Sequence, residues 1–190
     1  RMFILFAAPP ERELEWSDQG VEGSYRFINR VYRMVYDFAR DYKVGDGSYE
    51  IRNDADKNLN YVMNYTIKKV SDDIGERFNF NTAISQMMIF INEISKLPEV
   101  PKAMWSDFVK VLSPYAPHLG EELWEKLGNK DTIAYVQWPT FNDDFTKDDT
   151  KEIVVMVNGK LRDKFEAAPG TADDTLKATA FELPGIKKFT

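Results

Sequence analysis

Cysteine is absent from these 190 residues, which excludes a disulfide scaffold and thiolate metal sites and fits a reducing cytoplasm. A single histidine, His118, leaves too few imidazoles for a histidine-built metal centre. No stretch approaches the ~18 consecutive apolar residues of a membrane span, and the first residues lack the charged, apolar and small-residue zones of a secretory signal. No membrane partner is therefore expected. There is no glycine-rich phosphate loop after a strand, no GxSxG, and no nucleophile set beside a base. Neighbouring carboxylates such as Asp72-Asp73 and Glu121-Glu122 diverge by about a quarter turn on a helix and do not readily share a proton. No active site, metal or cofactor is expected in these residues. An excess of basic residues is missing too: 25 lysines and arginines against 31 acidic residues give a net charge of -6 and a pI near 5.0. A general polyanion binder would be basic, so any nucleic-acid surface must be a local stripe on an acidic body, with steeply salt-dependent binding.

What is present is enough for a core. Hydrophobic residues make up 43% and aromatics 14%, which excludes wholesale disorder, and the length suits one good core or a medium domain with a small appendage. Pro9-Pro10 bars a helix, so the first long one starts after it. Ser17 or Asp18 can cap that helix, Glu22 lies in its first turn, and Phe27, Val31, Met34, Val35 and Phe38 recur at helical spacing over roughly six turns. Arg26, Arg30, Arg33 and Arg40 advance in steps of four, three and seven, forming a stripe beside the apolar face. Two readings of the stripe stand: a solvated face with ion pairs to Glu22, Asp37 and Glu76, or a surface for phosphates. Lys68 and Lys69 are further cationic candidates.

A loop is expected from Asp41 to Lys57, then a second helix from Asp54 to about Glu76. A third, capped by Asn79 or Asn81, buries Ala83, Met87, Phe90, Ile91 and Ile94 until Pro98. A fourth runs from about Pro101 to Ser113, and a short fifth after the Pro114–Pro117 break ends at Gly128. Their apolar stripes predict an antiparallel helical bundle. Trp105, Trp124 and Trp138 read as core, whereas Trp16 either stacks on a base or pins the chain to the bundle. His118 with Glu121 and Glu122 could face a divalent ion, but a helix-start or packing role suits a lone histidine after Pro117 better. Residues 129–150 read as a linker. Ile153, Val155 and Val157 then alternate with Val154 and Met156, and Asn158-Gly159 supplies the two positive-φ residues of a type I′ hairpin turn. Strict alternation after it would place Lys160, Arg162 and Lys164 on one face. A short helix from Asp173 or Asp174 through Thr179 follows. Two strands with so little cover make a marginal core, so this small α+β domain is expected to be incomplete.

Several phrases carry a family resemblance: LFAAPPERELEWSDQGVEGSYRFINRVYR (Leu5–Arg33), TIKKVSDDI (Thr66–Ile74), FNTAISQMM (Phe80–Met88), LSPYAPHLGEELWEKLG (Leu112–Gly128) and VMVNGKLRDKF (Val155–Phe165). In this order they resemble the leucyl-tRNA synthetase family of bacterial type over nearly the whole chain. The helical bundle is shared with the isoleucine, valine and methionine enzymes, while LEWSDQGVEG and VNGKLRDKF point to the leucine branch. The resemblance implies that residues 1–15 are the tail of a catalytic core, 16–128 an anticodon-binding helical domain, 129–150 a linker and 151–190 the start of a C-terminal domain. The apolar start and the uncovered hairpin fit a chain cut from a larger one at both ends. It further implies a parent that uses ATP and Mg to join leucine to its tRNA, in which this piece is non-catalytic and docks the tRNA. The two ATP-handling signatures and the editing insertion are missing from the sequence. Identity need not be read from anticodon bases in this family. The residues implied to meet tRNA are Trp16, Arg26, Arg30, Arg33, Lys68, Lys69, Lys160, Arg162 and Lys164, with a monomer bound to the rest of its synthetase as the expected state. An alternative from the residues themselves is a protein-docking module using the apolar stretch Met2–Ala8.

Overall fold

Ser17 opens the long helix, its hydroxyl accepting from the Gly20 N–H at 3.2 Å, an N-cap bond that satisfies one of the helix's orphan donors. In the computed structural model, which describes residues 1–41, 54–97, 100–146, 151–167 and 170–187, the chain divides into two units, Arg1–Thr146 and Lys147–Thr190. The loop expected between Asp41 and Lys57, and the stop at Pro98, fall largely outside the described residues.

The first unit is a helical bundle of α1 (Met2–Ala7), α2 (Asp18–Asp41), α3 (Asp54–Asp72), α4 (Phe80–Ile94), α5 (Lys102–Leu112) and α6 (Pro117–Lys126). The apolar spacing read from the sequence is the buried face: Phe27, Val31 and Val35 of α2 meet Met63, Ile67 and Val70 of α3 and Ile84, Met87, Phe90 and Ile91 of α4 in one cluster. Phe90 and Phe108 stack at 4.8 Å, joining α4 to α5. Pro117 occupies the first turn of α6. The helix ends in a Schellman motif, with the Gly128 N–H donating to Glu125 and the Asn129 N–H to Trp124.

Five expectations need correction in this unit. The first concerns the start of the chain, whose apolar stretch Met2–Ala8 is expected to be an exposed sticky patch. It forms α1, which packs on α2 and α4 and buries Met2 and Phe3, so the Met2–Ala8 docking face is already partly covered. The second helix reaches the expected end but changes period: Asp73–Arg77 is a π-helical turn, closed by Phe78 with a φ of 53°. Asn79 stands at the start of α4, yet its side chain makes no cap bond; its carbonyl accepts the Ala83 N–H at 3.2 Å and so opens the helix's hydrogen-bond ladder.

The fourth correction is the supposed linker. Residues 129–146 strap the bundle, because short polar and apolar anchors hold them one at a time. Glu121 accepts the Thr132 hydroxyl and the Ile133 N–H, which pull its carboxyl below the usual range, the hydroxyl contributing most. Ile133 is buried; the Asn142 N–H donates to Asn64 Oδ1 at 2.7 Å; Lys68 pairs with Asp143 at 2.6 Å. Trp138, expected in the core, lies at the surface, where its indole N–H donates to Ser71 at 2.8 Å.

In the second unit, β1 (Lys151–Val157) pairs antiparallel with β2 (Lys160–Ala167) across Asn158-Gly159, whose φ values of 53° and 73° are those of the expected turn. Met156 faces Leu161 but Val155 faces Asp163, leaving Arg162 as an extra, bulged residue. The bulge breaks the expected alternation. Lys160 stays on the face of Val157 and Val155, while Lys164 falls on the opposite face with Val154 and Met156, so the three cations do not share one face.

The last helix, α7 (Asp173–Glu182), runs three residues past the expected Thr179. Beyond it Ile186 is buried and the Gly185 N–H donates to Asp163 Oδ2 at 2.9 Å. A Cβ on Gly185 would stand 2.5 Å from the Arg162 carbonyl oxygen, so backbone would have to shift. Gly185→Ala should therefore cost the small unit about 1–3 kcal/mol by overpacking. Segment-resolved hydrogen exchange should show hairpin amides losing protection while α4 keeps it; equal loss in α4 would contradict the division into two units.

Candidate nucleic-acid interface

One face of α2 concentrates the unneutralised positive charge, and the partners of each arginine decide which part of the stripe it occupies. Arg40 is held by Asp37 at 3.1 Å and Asp41 at 2.8 Å; the Asp41 hydrogen bond, then the charges of Asp41 and Asp37, push its pKa up, and Arg40 lowers that of Asp41. That end of the stripe is electrically spent. Arg26 lies 3.5 Å from Glu22 with both side chains largely exposed, a pair of the kind worth ~0–1 kcal/mol and easily exchanged for another anion. Arg30 sends its guanidinium to α4, donating to Asn92 Oδ1 at 2.6 Å and Ser95 Oγ at 2.9 Å. Both acceptors are neutral, so they orient the fork without cancelling its charge. Arg33 is exposed and forms no ion pair among the described residues. No ion pair joins Glu76 to the stripe among the described residues. Arg26, Arg30 and Arg33 thus form a positive segment in the middle of α2, between acidic ends.

The other sequence candidates are placed differently. Lys68 is engaged with Asp143 and lies over the Phe141 ring at 5.5 Å, which gives it a role in holding the strap. Lys69 pairs with the fully buried Asp73 and reaches the Thr82 hydroxyl at 3.3 Å, so its charge is directed inward. Trp16 is 71% exposed, edge-on to Phe3 at 5.3 Å, with its indole N–H on Asp18 at 2.8 Å. It is anchored by one edge and open on the rest. Lys160, Arg162 and Lys164 belong to the second unit. His118 is exposed at the mouth of an open groove shared with Glu121, Glu122, Glu125 and Asp131, and no group of three metal-ligating side chains occurs among the described residues. No helix among those residues is long and apolar enough to cross a membrane.

Sequence reasoning passed over a set of tyrosines on the same helix. Tyr25, Tyr32 and Tyr36 follow one another in steps of seven and four, a column adjoining the arginines, with Asn29 between them. Tyr25 is 66% exposed and Tyr36 41%. The signal was in the spacing; attention to charge hid it.

The solved ternary complex of the leucyl-tRNA synthetase AgnB2 of Agrobacterium radiobacter K84 with tRNA and LeuAMS is similar to 99% of this chain at 27% identity and a TM-score of 0.73. The chain spans 25% of that synthetase's length. Residues 56–177 match the family described as the anticodon-binding domain of tRNA ligase, a match that runs from α3 through the hairpin into α7. With well over half of its residues inside that match, the chain belongs to the family of anticodon-binding domains of tRNA ligases.

Proposed function

We propose that this chain is the tRNA-docking part of a leucyl-tRNA synthetase, and that the middle of α2 is where it meets RNA. The observation that carries this is the trio Arg26, Arg30 and Arg33: Arg30 is oriented by neutral acceptors, Arg33 forms no ion pair among the described residues, and Arg26 holds only an exposed pair with Glu22. Guanidinium groups in fixed orientation suit phosphate oxygens, and phosphate contacts set register and orientation without reading sequence. Trp16 and the hairpin cations Lys160, Arg162 and Lys164 are secondary candidates for the same RNA. The catalytic step, joining leucine to tRNA with ATP and Mg, belongs to the parent enzyme, whose remaining domains are the other partner of this piece. In this reading the piece positions the tRNA for a cytoplasmic enzyme and takes no part in the chemistry itself. The likeness to a synthetase solved with tRNA supports the nature of the ligand.

The test spares Arg30, which also ties α2 to α4. Replacing Arg26 and Arg33 with alanine should weaken binding of leucine tRNA about tenfold or more and flatten the slope of log affinity against log salt by roughly 1–2, since each lost phosphate contact reduces the slope by about one. Circular dichroism should be unchanged, because both side chains are exposed. Unchanged affinity and slope would remove α2 from the interface.

A further inference from the structure

We infer that the tyrosine column of α2 stacks on unpaired nucleotides lying next to the phosphates held by the arginines, an inference that rests on the RNA-docking reading above. Exposed aromatic rings on a surface helix are not required by the bundle: Tyr25 and Tyr36 are 66% and 41% exposed, whereas the apolar work of α2 is done by Phe27, Val31 and Val35 on its inner face. Tyr36 is also held in a fixed plane. Its ring lies parallel to that of Tyr32, centroids 5.8 Å apart and planes 20° apart, so one face is backed by an aromatic and the ring is pre-ordered for a further layer. Asn29, between the two sites, donates its amide to the Tyr25 carbonyl at 2.8 Å, which fixes it on the helix and leaves its side-chain oxygen as an acceptor on the same column. Arg33 lies one turn before Tyr36, within reach of that ring, while Arg26, next to Tyr25 in the chain, diverges from it by about a quarter turn into the adjoining arginine stripe.

That combination selects the occupant. A paired stem offers phosphates and hydroxyls, but its base faces are covered by their own neighbours; a tyrosine ring can be covered only by a base that has left the stack. Rings beside cations are the pattern that binds unpaired nucleotides, the cation taking the backbone and the ring the base. An apolar protein partner would have no use for the arginines. Along the helix, Tyr25 and Tyr36 are roughly 16 Å apart at 1.5 Å per residue, so they would serve two separate nucleotides rather than one.

The experiment titrates the full chain with leucine tRNA, comparing wild type, the Tyr25→Leu/Tyr36→Leu pair and the Tyr25→Phe/Tyr36→Phe pair at several salt concentrations. Leucine should lower affinity about tenfold or more without changing the salt slope, because stacking releases no counterions; phenylalanine, which keeps the ring, should stay within about twofold of wild type. Unchanged affinity in the leucine variant would overturn the inference and leave the face to a protein neighbour. An equal loss in the phenylalanine variant would also overturn it, since the contact would then be the hydroxyl. If the arginine variant loses binding and the leucine variant does not, phosphate docking stands and stacking fails; if wild type does not bind tRNA, both fail.

Discussion

Replacing Asp73 with alanine should destabilise the helical bundle by about 2–4 kcal/mol, somewhat less than the ~3–5 kcal/mol typical of breaking a buried ion pair, because the Lys69 left behind is a quarter exposed and can turn toward water. Asp73 is fully buried where α3 passes into its π-helical turn. Its carboxylate takes the Lys69 ammonium and the Thr82 hydroxyl, and Arg77 approaches to 4.0 Å. Its backbone carbonyl accepts the Asn79 N–H at 2.9 Å, closing the turn that leads into α4. One residue therefore joins two helices by side chain and backbone together. Its charge also reaches Tyr115: burial, and then the Asp73 carboxylate, push the tyrosine's pKa up and keep its hydroxyl neutral. Asp73→Asn keeps an acceptor for Thr82 and should cost less than alanine. Lys69→Met strands a buried carboxylate and should cost at least as much as Asp73→Ala. Urea unfolding of the three variants gives the order directly; a near-neutral Asp73→Ala would show that the pair contributes nothing net.

Phe90→Ala should be about as severe, costing roughly 3–5 kcal/mol, because it removes a fully buried ring and leaves a cavity that close-packed neighbours cannot fill. The ring stacks on Phe108 at 4.8 Å and 18°, so a pairwise aromatic contribution is lost with it. Phe90→Leu restores most of the volume and should recover more than half of the loss. Ile89→Ala, on the exposed side of the same helix, should stay within about 0.5 kcal/mol. The loss has a functional reach, since α4 carries Asn92 and Ser95, the two side chains that aim Arg30. Equal costs for the Phe90 and Ile89 variants in thermal unfolding would contradict the assigned core.

What the sequence made legible has a common physical basis. Long helices announce their inner face by period, so Phe27, Val31 and Val35 were readable at once, and so were Pro117 and Gly128 as the ends of α6. Asn158-Gly159 was equally plain, because few residue pairs accept two positive φ values. The features that escaped depend on contacts remote in sequence. α1 is six residues long, too short to show a period, and is held by α2 and α4. The strap over 129–146 has no period because single residues hold it: Ile133 by burial, Asn142 by Asn64, Asp143 by Lys68. The Arg162 bulge shifted Lys164 to the other face, and alternation counted from the turn cannot reveal a skipped residue. In the candidate interface the positions of the arginines were legible, but not their division of labour. That Arg40 is neutralised at its own helix end, that Arg30 is aimed by neutral partners on α4, and that Lys69 is directed into the core are facts of packing.

The measurement closest to the central claim is a titration of this chain with leucine tRNA at two salt concentrations, beside an unrelated tRNA. The account predicts binding to both that weakens steeply as salt rises, since the α2 surface holds phosphates and not sequence. Binding indifferent to salt, or no binding by a chain shown to be folded, would contradict it.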